Sequence, residues 1–476
     1  MNYQIKNKIL LILAVVLCLL PLIHMIRSLT FNCMSVVDYT IYQQAIYDLS
    51  LFETWNPFNT IRNVFIFNEH FDPVIFLAAP FVRLLSYTPS SLLIFEWLWY
   101  LAFALFIFTK QRESIQKHPL FFVALILFSR SILGGLLYPA HPVTWAILPL
   151  AYLVYSLSKD SFKGVLIACI SLCFFKETFP FGIFGLSFAF LLRKQYQRFL
   201  ILFVISTFFI IFELKLRAIL IGKTIGYGNQ FLGNIISDPI IYGTKILKEF
   251  HYKDFFKVFF AYLIPVFLVA RKEIKNLTQL RHHYFTSVLC FLLPLIAIHI
   301  IINRYSYHHA SKFGAVMIAT VAFSNIKNHL TNKKLKFLCI LLLIIGGSSM
   351  YTKIFKNFVF NKITACSPSK EMRSTSQLVH NSISELPLNA KIYTTGGIGA
   401  KVLRPNMSLH HHRWSPLEDF YDVIILETSG VSNTWPLDRT KILSIKNKCK
   451  EFSDKIYINT EHIFMAKGKF PQSCIY

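Results

Sequence analysis

Apolar runs long enough to cross a membrane recur along this chain, and they limit its fold more than any motif does. SLLIFEWLWYLAFALFIFT (91–109) and RFLILFVISTFFIIFELK (198–215) are two of them. A bilayer core offers no water to backbone N–H and C=O groups, so such runs must be helical, each needing roughly 20 residues. The composition agrees: 54% of 476 residues are hydrophobic and 15% charged, too apolar and too long for one soluble core. The expected class is therefore mainly α, a polytopic helical membrane protein.

The first run follows Lys6 and Lys8 and extends to about residue 27 with no small-residue cleavage site after it, the pattern of an uncleaved signal anchor. Further spans are expected at about 91–109, 119–137, 142–157, 162–175, 177–192, 198–215, 255–270, 284–303, 308–325 and 335–350. PVIFLAAPFVRLLSY (73–87) is too short to cross and is interrupted by Pro80 and Arg83, so an interfacial helix is expected there.

The formal net charge is +25. Nucleic acid is excluded as the reason, because the basic residues cluster in short loops: KQRESIQK (110–117), KDSFK (159–163), RKQYQR (193–198), RKEIKNLTQLR (271–281) and KNHLTNKKLK (327–336). If residues 73–87 do not cross, all five loops fall on the cytoplasmic side with the N-terminus, giving about eleven spans and an external C-terminus. Residues 1–350 then form the membrane domain. Its outer elements are a first loop (28–90), YPAHP (138–142), the pair Lys176–Glu177, a loop at 216–254 and NRYSYHH (303–309). In SDPIIYGTKILKEF (237–250), Ser237 is a plausible N-cap and Ile240, Ile241, Ile246 and Leu247 make a stripe, so an amphipathic helix on the membrane surface is expected.

From 351 to 476 the chain turns polar. AKIYTT, YDVIILET and KIYIN are expected strands and 370–384 a helix, together a small extracytoplasmic α/β domain. GGIG (396–399) after a strand reads as a strand-to-helix turn rather than a nucleotide fingerprint. Cys366, Cys449 and Cys474 allow one disulfide there, of undetermined pairing.

The ionisable residues that look out of place gather on the outer side. Asp38 opens DYTIYQQAIY, where it serves either as a general base or ion ligand at a cavity mouth or as a first-turn helix acid. In NEHFDP, His70 is a cavity candidate, while Asp72 before Pro73 reads as an N-cap. His141, between two prolines, is a core hydrogen-bonder or a functional group. Lys176 and Glu177 are adjacent and would not face each other on a helix, so one is expected to meet a cavity and the other the interface. Arg304, with His308 and His309, can hold a phosphate through its planar fork or anchor a lipid headgroup. HHH at 410–412, if extended, puts two imidazoles on one face, too few for a metal site.

Taken in order, Asp38, Tyr42 and Gln44, then His70 and Pro73, His141–Pro142, Lys176–Glu177, Tyr227–Gly228 and Gly233, with LPLNAKIYTT, MSLHH and DFYDVIILE, resemble a prokaryotic family of multi-pass membrane proteins defined as a domain of unknown function (number 2079). That family is similar to the GT-C glycosyltransferase superfamily, typified by the protein mannosyltransferases and the lipid A aminoarabinose transferase. The resemblance implies a GT-C-like membrane domain and sugar transfer from a polyprenyl-phosphate-linked donor to an envelope acceptor. It implies Asp38 as the catalytic carboxylate in the first outer loop, deprotonating or orienting the acceptor hydroxyl. Tyr42, Gln44, His70, His141, Lys176, Glu177, Arg304 and His308 are the implied substrate and phosphate ligands, with a divalent cation left open as cofactor. Gln43 stands where many relatives carry a second acid, against a two-carboxylate or metal-bound version.

Two other classes compete. A lipid or solute transporter or flippase would want charges near the bilayer midplane and repeated halves; the chain shows charges at span ends and no repeat. A non-catalytic envelope scaffold would leave Asp38 and Lys176 indifferent to substitution.

Overall fold

The computed structural model describes residues 19–31, 37–111, 126, 129–222, 238–248, 250, 252, 256, 283–302, 308–324, 370–387, 389–395, 398–412, 419–428 and 437–475. The expected span at 335–350 and nearly all of that at 255–270 lie outside these residues. So do Lys6, Lys8, Arg304, Cys366, Tyr227, Gly228 and Gly233.

In chain order the main elements are α1 (Leu19–Thr30), α2 (Val37–Ser50), β1 (Phe58–Asn59), β2 (Val64–Phe65), a 3-10 turn (Pro73–Leu77), α3 (Ala78–Leu84) and α4 (Ser91–Lys110). Next come α5 (Arg130–Leu136), α6 (Pro142–Ser158), α7 (Phe162–Cys173), α8 (Phe179–Leu192), α9 (Tyr196–Ile221) and α10 (Pro239–Lys248). Then α11 (Tyr284–Ile302), α12 (His308–Phe323), α13 (Lys370–Ile383), β3 (Lys391–Thr394), β4 (Ser408–His411), β5 (Phe420–Glu427), α14 (Arg439–Lys450), β6 (Ser453–Asn459) and β7 (Ile463–Pro471) follow.

The described chain is mostly helical, with its larger sheet near the C-terminus. Three described helices are long and apolar enough to cross a membrane: α4, α9 and Tyr284–Ile301 of α11. The others are shorter. At 1.5 Å per residue, the 12 residues of α7 rise about 18 Å, against a hydrocarbon core of about 30 Å. α9 outruns its expected end at 215 because a π-turn at Phe212–Leu216 carries the helix through FELKL to Ile221. Residues 73–87 form only the 3-10 turn and α3, too short to cross. α10 is as expected in place and exposes Ile240, Ile241 and Leu247, but its first turn is capped by Asp238, which accepts from the Ile241 amide at 3.0 Å.

Contacts divide the chain into two compact units. The first holds Phe67–Val74 and the described part of Trp97–Met350. Its helices approach closely through small residues, as helices do where lipid supplies no hydrophobic drive between them. A Cβ on Gly185 of α8 would lie 2.1 Å from the Cys290 carbonyl of α11, and one on Gly182 would meet the Phe291 ring at 2.9 Å. Gly314 of α12 likewise leaves room for Ser131 of α5.

The second unit joins Leu20–Ile66 and Ile75–Glu96 to the described part of Tyr351–Tyr476, so much of the chain between α1 and α4 packs with the C-terminal sheet. That sheet has the order β4-β3-β5-β7-β6. β4, β3 and β5 are parallel, while β7 runs antiparallel to both β5 and β6. Two of its strands, β4 and β7, were not expected from the sequence. Tyr393, Tyr421, Ile424, Leu426, Ile442 and Phe464 build one core against α14. Asp438 caps α14 by accepting from the Lys441 amide at 2.8 Å. Cys449 at the end of α14 is disulfide-bonded to Cys474.

Candidate functional site

The centre of the first unit is the turn between α7 and α8. α7 ends at Cys173, Pro180 helps start α8, and the Phe179 amide donates to the Lys176 carbonyl at 3.1 Å. Because Lys176 and Glu177 lie in this turn and not on a helix, their side chains converge: Nζ and Oε2 are 3.4 Å apart. That corrects the expectation that the two would point different ways. The Phe67–Val74 segment is fastened to the same turn by the Val74 amide, which donates to the Phe174 carbonyl at 3.1 Å. It brings Asp72 Oδ2 to 3.3 Å from Lys176 Nζ and His70 Nδ1 to 3.1 Å from Glu177 Oε1. Asp72, expected as a helix cap, is thus a buried counter-ion, 2% exposed.

The charges sustain one another. Burial works against the Lys176 ammonium, but the Asp72 and Glu177 carboxylates outweigh it and hold its pKa above the usual lysine value. Burial likewise works against a charged Glu177, and Lys176 and His70 outweigh it, holding that carboxyl well below the usual range. His141 stacks on Tyr138 with ring centroids 5.1 Å apart. Burial first, then Lys176 and His70, push the pKa of its imidazole well below the usual histidine value.

Three further charged residues line the same region, none expected from the sequence. Lys312 of α12 is 2% exposed, donates to Thr178 Oγ1 at 3.3 Å and lies over the Phe179 ring at 5.6 Å. Among the described residues no carboxylate comes within ion-pair distance of it. Glu213 and Arg217 of α9 pair at 3.4 Å, both nearly buried, and the adjacent Phe212 packs against Phe71 with ring centroids 4.8 Å apart. The signal for them was present: a lone lysine in SKFGAV, and FELKLR with an i,i+4 spacing.

The remaining expected site residues divide. Asp38 is partly buried in the first turn of α2, and Tyr42 is buried one turn on. Both belong to the second unit, whereas His70, His141, Lys176 and Glu177 belong to the first. Gln44 acts as a fastener: its Nε2 donates to Thr60 Oγ1 at 2.8 Å and its Oε1 accepts from the Thr60 amide at 3.1 Å. Thr60 in turn bridges to Leu409 of β4, donating to its carbonyl at 2.8 Å. Gln43 donates to Tyr47 Oη at 2.7 Å and is buried. His308 opens α12. His410 and His411 are successive, buried residues of β4 and point to opposite faces, and no group of three metal-ligating side chains occurs among the described residues.

Asp48, near the end of α2, accepts from the Asn406 amide, yet burial first, then Glu53, push its pKa from 3.8 up to about 7. A raised carboxyl contributes stability that is complete below pH 4 and lost as pH rises through about 7. Amide protection in α2, corrected for intrinsic exchange, is therefore expected to fall between pH 5 and pH 8. Asp48→Asn should abolish the fall, restoring roughly fivefold protection at the higher pH, the factor that about 1 kcal/mol represents. Hydrogen exchange on the full chain measures it.

No protein-family model matches this chain, and no curated protein is similar enough to match it.

Proposed function

We propose that this chain is an integral-membrane, GT-C-like transferase that moves a sugar from a polyprenyl-phosphate donor to an acceptor at the outer face of the cell membrane. The observation that carries the reading is the buried charge cluster around Lys176, set at the ends of apolar helices. Ionisable groups are costly there and mark substrate sites. In the reaction the acceptor oxygen bonds to the anomeric carbon, the bond from that carbon to the phosphate oxygen breaks, and the phosphate leaves with added negative charge. Lys176 and Lys312, in poorly hydrated surroundings, are placed to stabilise that charge, and the resemblance adds Arg304 and His308. It also supplies the base: Asp38 takes the proton of the acceptor hydroxyl.

A divalent ion fits poorly. His70 contacts Glu177, and the Lys176 ammonium lies within 4 Å of both the Asp72 and Glu177 carboxylates, so a positive charge already stands where a metal cation would bind. His70 and Glu177 are assigned to positioning the substrate, and no step runs through a metal.

The finer topology belongs to the same proposal: about eleven spans, N-terminus cytoplasmic, residues 351–476 outside. The basic turns at 159–163 and 193–198 support it, since both fall at the ends of α7 and α8 away from Lys176. The Cys449–Cys474 disulfide supports an oxidising compartment for the C-terminal part.

The test is transfer by the purified chain from a panel of polyprenyl-phosphate sugars, wild type beside Asp38→Asn. Turnover should fall by about 100-fold or more with donor binding unchanged. Turnover that survives the substitution removes Asp38 as the base.

A transporter or flippase is the second reading, favoured by one observation: Glu213 and Arg217 lie within a helix of spanning length. Vesicle-to-vesicle movement of the lipid without donor cleavage would select it.

A further inference from the structure

Glu213 and Arg217 have a role that ion pairing alone does not explain. Both are in the first unit, with side chains 5% and 4% exposed. They stand one turn apart where the π-turn of α9 widens the helix. π-turns of this kind recur at functional sites because they redirect side chains. The pair is loose: the closest approach is 3.4 Å, while a charge-assisted N–H···O bond is about 2.8 Å long. Both oxygens of Glu213, and Nε and Nη1 of Arg217, are buried and, beyond their own 3.4 Å approach, make no hydrogen bond among the described residues. Four orphaned polar atoms at one place in an apolar helix are a costly arrangement unless something else satisfies them.

The chemistry of the orphans defines the ligand. Two acceptors and two donors sit side by side on a pair whose charges cancel. A free ion would leave half of them unsatisfied. A neutral group carrying adjacent hydroxyls satisfies both, donating to the carboxylate and accepting from the guanidinium. The position fits as well. Glu213 lies 17 residues, about 26 Å, along α9 from Tyr196, close to the far end of a bilayer-length helix. There its neighbour Phe212 packs against Phe71, ring centroids 4.8 Å apart, in the segment that carries His70 and Asp72.

We infer that Glu213 and Arg217 form a hydroxyl-binding subsite that holds the sugar of the lipid-linked donor, next to the cations that hold its phosphate. This rests on the transferase reading for the identity of the donor. It is tested by binding, so the two can fail separately.

The experiment measures affinity of the purified full chain for polyprenyl phosphate, polyprenyl phosphate glucose and polyprenyl phosphate mannose, with excess free glucose or mannose as competitor. Wild type should bind at least one sugar-linked lipid about tenfold or more tighter than the bare phosphate. Competition by free sugar distinguishes recognition of the sugar itself from recognition of the lipid-borne form. Glu213→Leu combined with Arg217→Leu should bind the bare phosphate as wild type does and lose the preference. Replacing both members of a buried ion pair by apolar side chains is generally tolerated, whereas removing one is not. If the double variant does not fold, Glu213→Gln must reduce the preference by itself. A wild-type chain with no preference, or a double variant that keeps it, overturns the subsite. A chain that shows the preference but never turns a donor over retains the subsite and sinks the transferase.

Discussion

Lys176→Met is expected to cost the first unit about 3–5 kcal/mol, a larger loss than any other single substitution considered for this chain. Lys176 is the one cation within 4 Å of both Asp72 and Glu177 among the described residues, at 3.3 and 3.4 Å, and Asp72 is 2% exposed. Without it, Asp72 and Glu177 lose the ammonium they share in a low-dielectric site. One of them must then take up a proton or draw in water. The pH dependence has a definite sign. Lys176 first among the charges, then His70, holds the Glu177 carboxyl well below its ordinary 4.5. That contribution is complete above pH 4.5 and is lost as pH falls through the folded-state value. The penalty for Lys176→Met should therefore be largest near neutrality and shrink in acid. Adding Asp72→Asn to the variant removes the stranded charge and should recover most of the stability without recovering donor binding. Unfolding midpoints of the purified chain in detergent, at neutral and acid pH, decide the matter. A single variant as stable as wild type would mean that the ion pairs are solvated and the cluster is not a low-dielectric site.

What the sequence revealed follows how local the cause was. The bounds of α7 and α8 were legible because apolar composition starts and stops them, and the SKDS turn before α7 carries its own cap, Ser161. β4 was missed because MSLHHH looks polar. Its histidines are buried by pairing with β3, which no short window contains. β7 was missed for the opposite reason. It owes its length to β5 and β6 on both sides, which overrides the weak strand preference of AKGK. The site shows the same division. That Lys176 and Glu177 lie between two apolar helices could be read from the residues around them. Their partners could not: Asp72 is 104 residues from Lys176, and Pro73 after it made capping the simpler reading. Gln44 carries a similar lesson. The resemblance implied it as a substrate ligand, and its fastening partners are Thr60 and, through Thr60, a strand more than three hundred residues further on.

Removing the Cys449–Cys474 bridge is the second large expected effect, and it bears on which side of the membrane the sheet occupies. The bond joins the end of α14 to the short helix that follows β7, closing a segment of 25 residues. On the chain-entropy account a loop of that size contributes about 3 kcal/mol. The geometry concentrates the loss on β6 and β7, because the whole of both strands lies within the closed segment. Cys449→Ala with Cys474→Ala should therefore raise amide exchange first in β6 and β7 and leave α7 and α8 unchanged, since these lie in the other unit. Alanine is the right replacement, as both sulfurs are buried and a serine hydroxyl would be stranded. The same bond reports location. If residues 351–476 are outside the cytoplasm, Cys449 and Cys474 in intact cells should resist thiol labelling until a reductant is added, and cells unable to oxidise secreted thiols should yield a labelled, less stable protein. Labelling without reductant in normal cells would place the sheet in a reducing compartment and reverse the orientation on which the outer-face transferase depends.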